Sequence, residues 1–415
     1  MNQSIKLIGG SKVFICDEGF SVIDEGGVAF QTQNGKNLII EVGKYKDLKL
    51  KYIDSTFYED SIILPSFVNA HIHFEFGNNI SSFEYGGFDR WLKSVMKKRD
   101  DVLSDITQCV QAGIKEQLES GVGSVGAISS YGNDAQALSN SPLRVVYFNE
   151  AIGSTPSAID FLYSDFLNRY HASRELQSDR FIPAIAIHSP YSVHSVLAKK
   201  VLEIARTDDV RTSVHFLESF YEREWLESSK GWFKDFYEEV LKIKSPKPLY
   251  NITEFLEMFE GLDTLFVHCL FANRSELDFI SKNGYLISCP RSNRLLNNTY
   301  IDLSLLACAN LHPIFATDGK SSNNNLNMLD ELRSALFGYT SSDLDELSKV
   351  LILGATLYPA RALRLDCGIL QSGKYADISV FHSEQIDKSS QAPLQFLLHS
   401  KKVKTLYING HSVIK

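Results

Sequence analysis

His71 and His73 form an H-x-H pair at the end of an apolar run, SIILPSFVNAHIH. In an extended strand, residues two apart share a face, so both imidazoles can grip one cation. The pair alone is a weak signal. Three more ligand-type residues close short apolar runs further along: His215 in RTSVHF, His268 in TLFVHC and Asp318 in PIFATD. His71, His73, His215 and Asp318 offer three nitrogens and one oxygen, a donor set suited to Zn2+ first and Fe2+ second, with a position left for water. Glu218 follows His215 by three residues, in HFLE. A carboxylate there lies just past the strand, close enough to move protons without binding the ion.

These residues need one scaffold that brings them together. From Ile62 onward, eight apolar runs alternate with amphipathic segments such as Ile106–Glu119 and Val193–Arg206. Near-continuous apolar strands separated by helices predict a parallel sheet covered on both faces. Eight such units predict an α/β fold of the (β/α)8 TIM-barrel type, with every strand delivering its C-terminal residue to one shared mouth. Residues 1–61 and 356–415 read as short alternating strands. They predict a small β-sandwich domain assembled from both chain ends, with the hydrolase barrel over 62–355. Gly121, Gly123 and Gly126 spell G-x-G-x-x-G, but a helix precedes them and a strand follows. That is the reverse of a dinucleotide site, so Gly121 reads as a helix cap and no nucleotide cofactor is expected.

The 415 residues carry 42 Lys and Arg against 50 Asp and Glu, a net charge of −8. That balance argues against nucleic acid as a partner. No run approaches the ~20 apolar residues of a membrane span. No signal peptide is evident. The six cysteines are scattered and unpaired in sequence, as in a reducing compartment. A cytoplasmic enzyme is expected, with no membrane partner. Strand 4 ends in His188, within AIHSPYS, rather than in a lysine that could be carbamylated to bridge two ions. One metal is therefore expected. His188 reads equally as a substrate contact, a supporting donor or a packing residue.

LPSFVNAHIH, HSPYS, HFLE, CPRSN, ATDGKSSNN and the C-terminal GILQSGKYADISVF together resemble the amidohydrolase superfamily, in its nucleoside and base deaminase branch. Within that branch, HFEFGNN, GVGSVGAIS, HFLES with EWLESSKGWF, CPRSNRLLN and LQFLLHSKKV are most similar to the aminodeoxyfutalosine deaminases of epsilon-proteobacterial type. The resemblance implies conversion of 6-amino-6-deoxyfutalosine to futalosine and ammonia, on the futalosine route to menaquinone. It implies His71, His73, His215 and Asp318 as ligands of one divalent ion, Glu218 as proton shuttle and His268 facing the water. Asp318 is also implied as a proton acceptor. The small-molecule partner would be a purine nucleoside, and a homodimer is a further expectation. His188, Trp91, Arg291, Ser292, Asn293 and Ser322 are candidate substrate contacts. Arg291, Arg294, Lys97, Lys98 and Arg99 are candidate cations for a benzoate-like carboxylate. Ser66, Ile72, Ser189 and Arg291 depart from the family pattern, none at a ligand position. The alternatives are another adenosine derivative (methylthioadenosine, S-adenosylhomocysteine or adenosine), a free base, or a non-catalytic scaffold.

Overall fold

The computed structural model describes residues 5–77, 81–102 and 106–414, without the side chains of residues 99–102 and 388. Asn78 and Asn79 of HFEFGNN and the side chain of Arg99 lie outside the described residues. Eight parallel strands follow one another around a barrel. They are β5 (Phe67–Ile72), β6 (Val122–Ser129), β7 (Arg144–Ala151), β8 (Phe181–Ile187), β9 (Thr212–Phe216), β10 (Thr264–His268), β11 (Gly284–Ser288) and β12 (Ile314–Phe315). The seam between β12 and β5 is closed by other bonds. Asn69 Nδ2 donates to Thr317 Oγ1 at 2.7 Å, and Asp318 N–H donates to His71 O at 3.2 Å.

The strands read as unbroken apolar runs because both faces are buried. Val68, Ala70, Val146, Phe148, Ala184, Ala186, Leu265, Val267, Ile287 and Ala316 fill the barrel interior. Val145, Tyr147, Val214, Phe216, Phe266 and Leu286 alternate with interior positions and pack beneath the surrounding helices.

Among the described residues, the second sheet has seven strands. It joins β1 (Lys6–Phe14), β2 (Val22–Gln33), β3 (Lys36–Lys44) and β4 (Asp54–Pro65) to β13 (Ile378–His382), β14 (Val403–Ile408) and β15 (His411–Ile414). The sheet curls until Phe30 of β2 meets Tyr407 of β14, with ring centroids 5.9 Å apart. A mixed sheet built from both chain ends thus accompanies the barrel.

The apolar run ending in His73 is two strands rather than one. Ile62–Pro65 pair with β13, and Phe67 opens the barrel. The switch falls at Ser66, whose N–H donates to Asp377 O at 2.9 Å. Both pieces are buried, so hydropathy gives no sign of the break. Gly121 follows the helix Ile106–Glu119 with φ +86°, as a cap. A Cβ on Gly126 would lie 2.3 Å from Ala70 O, so this glycine permits β5 and β6 to approach. Among the described residues, no helix is long and apolar enough to cross a membrane.

Candidate active site

Strand alternation alone would not aim the histidines. Val68 and Ala70 face the barrel interior, which would leave His71 and His73 facing out. Between Asn69 and Ile72 the strand advances three residues while β6 advances two, from Val125 to Ala127. A bulge of this kind re-aims side chains. Ile72 turns into the outer core, and His71 and His73 turn inward. On β10, Leu265 and Val267 point inward, so His268 should point out. Its backbone is left-handed (φ 69°) and swings the ring into the cup. Asp318 is also left-handed, with φ 57°. Such backbone is uncommon outside glycine and clusters at functional sites.

The five side chains converge. His71 Nε2 lies 3.2 Å from His73 Nε2, and each lies 3.6 Å from Asp318 Oδ1. The rings of His71 and His215 are 4.9 Å apart, and those of His215 and His268 are 5.6 Å apart. Ligands held at ~2.1 Å around a tetrahedral ion stand about 3.4 Å from one another. The spacing around Asp318 Oδ1 fits that. The tautomers fit too. His215 Nδ1 donates to His188 O at 2.8 Å, leaving its other nitrogen a bare lone pair. Burial, then the neighbouring imidazoles, holds His215 well below its ordinary pKa. Burial and His71 bring His73 down to about 4. Both are therefore neutral, the ligating form. Burial pushes the Asp318 pKa up, but the imidazoles of His71, His73 and His268 around it outweigh that and hold it well below the ordinary value, so the carboxyl stays ionised. Ser292 and Ser322 hydroxyls donate to Asp318 Oδ2 at 2.8 and 2.7 Å, leaving Oδ1 turned toward the histidines. These residues could hold one divalent cation.

Glu218 and His268 form the other wall. Asn293 Oδ1 accepts from His268 Nδ1 at 2.9 Å. The buried Nε2 has no hydrogen-bond partner among the described residues and lies 3.6 Å from Glu218 Oε1. Glu218 is buried, which raises its pKa to about 7 against the pull of His268. Glu222 fixes the turn beneath it by accepting the N–H groups of Leu217 and Glu218, both at 3.0 Å.

The other sequence candidates divide. Ser292, Asn293 and Ser322 reach the cluster, but by holding Asp318 and His268. His188 lies beside His215, its Nδ1 2.6 Å from the Ser192 hydroxyl. Trp91 is half-buried, and its indole N–H donates to Ser321 O at 2.8 Å, pinning the loop after β12. Arg291 corrects an expectation. Its Nε donates to Glu331, one terminal nitrogen to Asn324 and Asn325 side chains, and the other to Asn325 and Asn327 carbonyls. Five N–H groups meet five acceptors, so none is left for a substrate carboxylate. Arg294, Lys97 and Lys98 are exposed. Glu75, Asp134 and Glu150 are three further buried carboxyls that no sequence motif marks. Glu150 shares parity with the inward-facing Val146 and Phe148, which was the available signal.

A sequence profile of the Amidohydrolase family matches residues 62–413. The chain is 42% identical over 415 residues to a Helicobacter pylori protein named adenosine deaminase, covering 99% of this chain and 100% of the relative. It is 39% identical over 400 residues to the aminodeoxyfutalosine deaminase of a Nitratiruptor species, covering 95% and 96%. The crystal structure of Helicobacter pylori aminofutalosine deaminase with methylthio-coformycin superposes with a TM-score of 0.93 at 41% identity, over 99% of this chain and 100% of that one. A zinc-bound adenosine deaminase from Xanthomonas campestris, at 20% identity, shares the fold with a TM-score of 0.80 over 98% and 92%. By the extent of these matches, the chain belongs to the amidohydrolase family.

Proposed function

We propose that the protein is a hydrolytic deaminase that converts 6-amino-6-deoxyfutalosine to futalosine and ammonia. His71, His73, His215 and Asp318 would hold one divalent ion, Zn2+ before Fe2+. The observation that carries the reading is Glu218, a buried carboxyl titrating near neutrality, set across from the bare Nε2 of His268. Identity of 39% over 95% of the chain to a protein named aminodeoxyfutalosine deaminase supports the substrate.

When bound, the ion supplies Lewis acidity and makes water a stronger nucleophile. The residues do the rest. Glu218 delivers a proton to N1 of the adenine ring, so the ring can accept electrons as water adds at C6. His268 Nε2 accepts a hydrogen bond from the attacking water and orients it. Asp318 Oδ1 takes the water's proton and passes it to the departing amine. Its other oxygen is held by the two serines, so the acceptor does not wander. Loss of ammonia, with the C6 hydroxyl proton going back to Glu218, leaves a carbonyl at C6.

The test is ammonia release by purified protein from aminodeoxyfutalosine, methylthioadenosine, S-adenosylhomocysteine and adenosine. The first should have the highest kcat/KM. A clear preference for one of the others would move the assignment to that nucleoside. Glu218→Gln should lose roughly a thousandfold in kcat, inside the ordinary range for a lost proton transfer, with metal content unchanged. Full turnover in that variant would end the shuttle assignment. Asp318→Ala and His71→Ala should lose bound metal, read by elemental analysis.

A further inference from the structure

Phe74 and Phe76 follow β5 on either side of Glu75 and have opposite fates. Phe74 is buried in the outer core, as is Phe216 beside His215. Phe76 is half-buried and joins none of the apolar clusters among the described residues. Its ring stands beside His73 instead, with centroids 6.5 Å apart and planes at 69°. The His73 side chain is 12% exposed, against 1% for His71 and 9% for Asp318. Phe76 therefore borders the open side of the cup.

A second ring continues the wall. Tyr131, in the loop after β6, is half-buried and lies 6.4 Å from Phe76, tilted at 59°. Glu75 ties the two loops together. Its buried carboxylate accepts the backbone N–H groups of Ser130, Tyr131 and Asn133 at 2.7, 3.1 and 3.1 Å. Charge-assisted bonds of this kind are strong and directional. Gly77 seats the first loop against the helix Ile106–Glu119, where a Cβ would come within 2.8 Å of Cys109 Cβ. A ring left partly in water forgoes the burial that Phe74 obtains two residues earlier. Here the backbone on both sides is fixed so that the ring stays in the mouth of the cup.

The reacting carbon of the substrate must stand against the ion, among the ligand atoms. The purine that carries this carbon is thus the flat ring within reach of Phe76, while the aryl group lies beyond the sugar. Aromatic side chains stack on any base, because every base has a π-face. We propose that Phe76, with Tyr131 beside it, forms an aromatic wall that stacks on the substrate's purine. This rests on the nucleoside reading above and deepens it by naming the residues that hold the base.

The experiment measures kcat, KM and bound metal for Phe76→Ala, Phe76→Leu and Phe76→Tyr. Aminodeoxyfutalosine is the substrate, and adenosine is used as substrate or competitive inhibitor. Phe76→Ala should weaken both nucleosides by a common factor of about 10 to 100 in KM or Ki, with kcat within about threefold and metal content unchanged. Phe76→Leu keeps apolar bulk without a π-face and should stay impaired, whereas Phe76→Tyr should restore both constants. Tyr131→Ala should weaken both nucleosides in the same sense. A KM unmoved by Phe76→Ala would overturn the inference. A rise confined to aminodeoxyfutalosine would set the ring against the aryl group and overturn the purine assignment. Loss of kcat together with metal would make Phe76 a prop for His73 and overturn it as well. A wild-type protein that deaminates neither nucleoside would sink the nucleoside reading itself.

Discussion

Two histidines in the cup are held by neighbours that decide their protonation. Asn293 fixes the proton of His268 on Nδ1, and the His188 carbonyl does the same for His215. Among the described residues Glu218 has no such partner on its side chain beyond His268 across the cup, and burial raises its pKa to about 7. A group that must carry a proton into the reaction gives a constant rate below its pKa and a tenfold fall per unit above it. We therefore expect kcat/KM to decline as pH rises through about 7, with the decline absent from the residual activity of Glu218→Gln. A profile flat to pH 9 would remove Glu218 from the acid role. The ligand-type residues and Glu218 were legible in the sequence because each closes an apolar run, and strand ends share one mouth in a barrel. Glu150 was not. A lone acid inside LRVVYFNEA is seen to point inward only once Val146 and Phe148 are known to do so.

At the scale of elements, the sequence conveyed the alternation of strands and helices but not the irregularities that aim the site. The bulge in β5 and the left-handed turns at His268 and Asp318 depend on long-range register, which local pattern does not encode. The run from Ser61 to His73 likewise hid a change of sheet, because apolar residues serve both. Arg291 is the clearest case of context overriding residue type. Its pair with Glu331 is buried, and the loop that carries Ser322 is strapped to it through Asn324, Asn325 and Asn327. Arg291→Met leaves Glu331 charged and unpaired, which should cost about 3–5 kcal/mol of stability. Adding Glu331→Gln should recover part of that loss, since the stranded charge is then gone. Thermal melts of the single and double variants would check it. Equal melting of the wild type and Arg291→Met would deny the strap.

The barrel and the terminal sheet meet at the end of the barrel opposite the cup, and one buried ion pair crosses the junction. Arg144, the first residue of β7, bonds Asp377 at 3.1 and 3.2 Å, with both side chains almost wholly buried. The Tyr375 ring covers the guanidinium at 3.9 Å. Asp377 also accepts Asn409 N–H at 2.6 Å, and its carbonyl takes Ser66 N–H where the chain passes from one sheet to the other. One residue thus ties three distant segments: the barrel entry, β7 and the C-terminal hairpin. Removing its charge strands Arg144 in a dry site, a loss of about 3–5 kcal/mol for a buried pair. The catalytic groups sit at the other ends of these strands, so their geometry should not feel it. Asp377→Asn should accordingly melt several degrees lower than the wild type while the folded fraction keeps its kcat/KM. A variant with unchanged melting would show that the junction does not depend on this pair. One that stays folded but loses turnover would show that the terminal sheet reaches the active site through the length of the barrel.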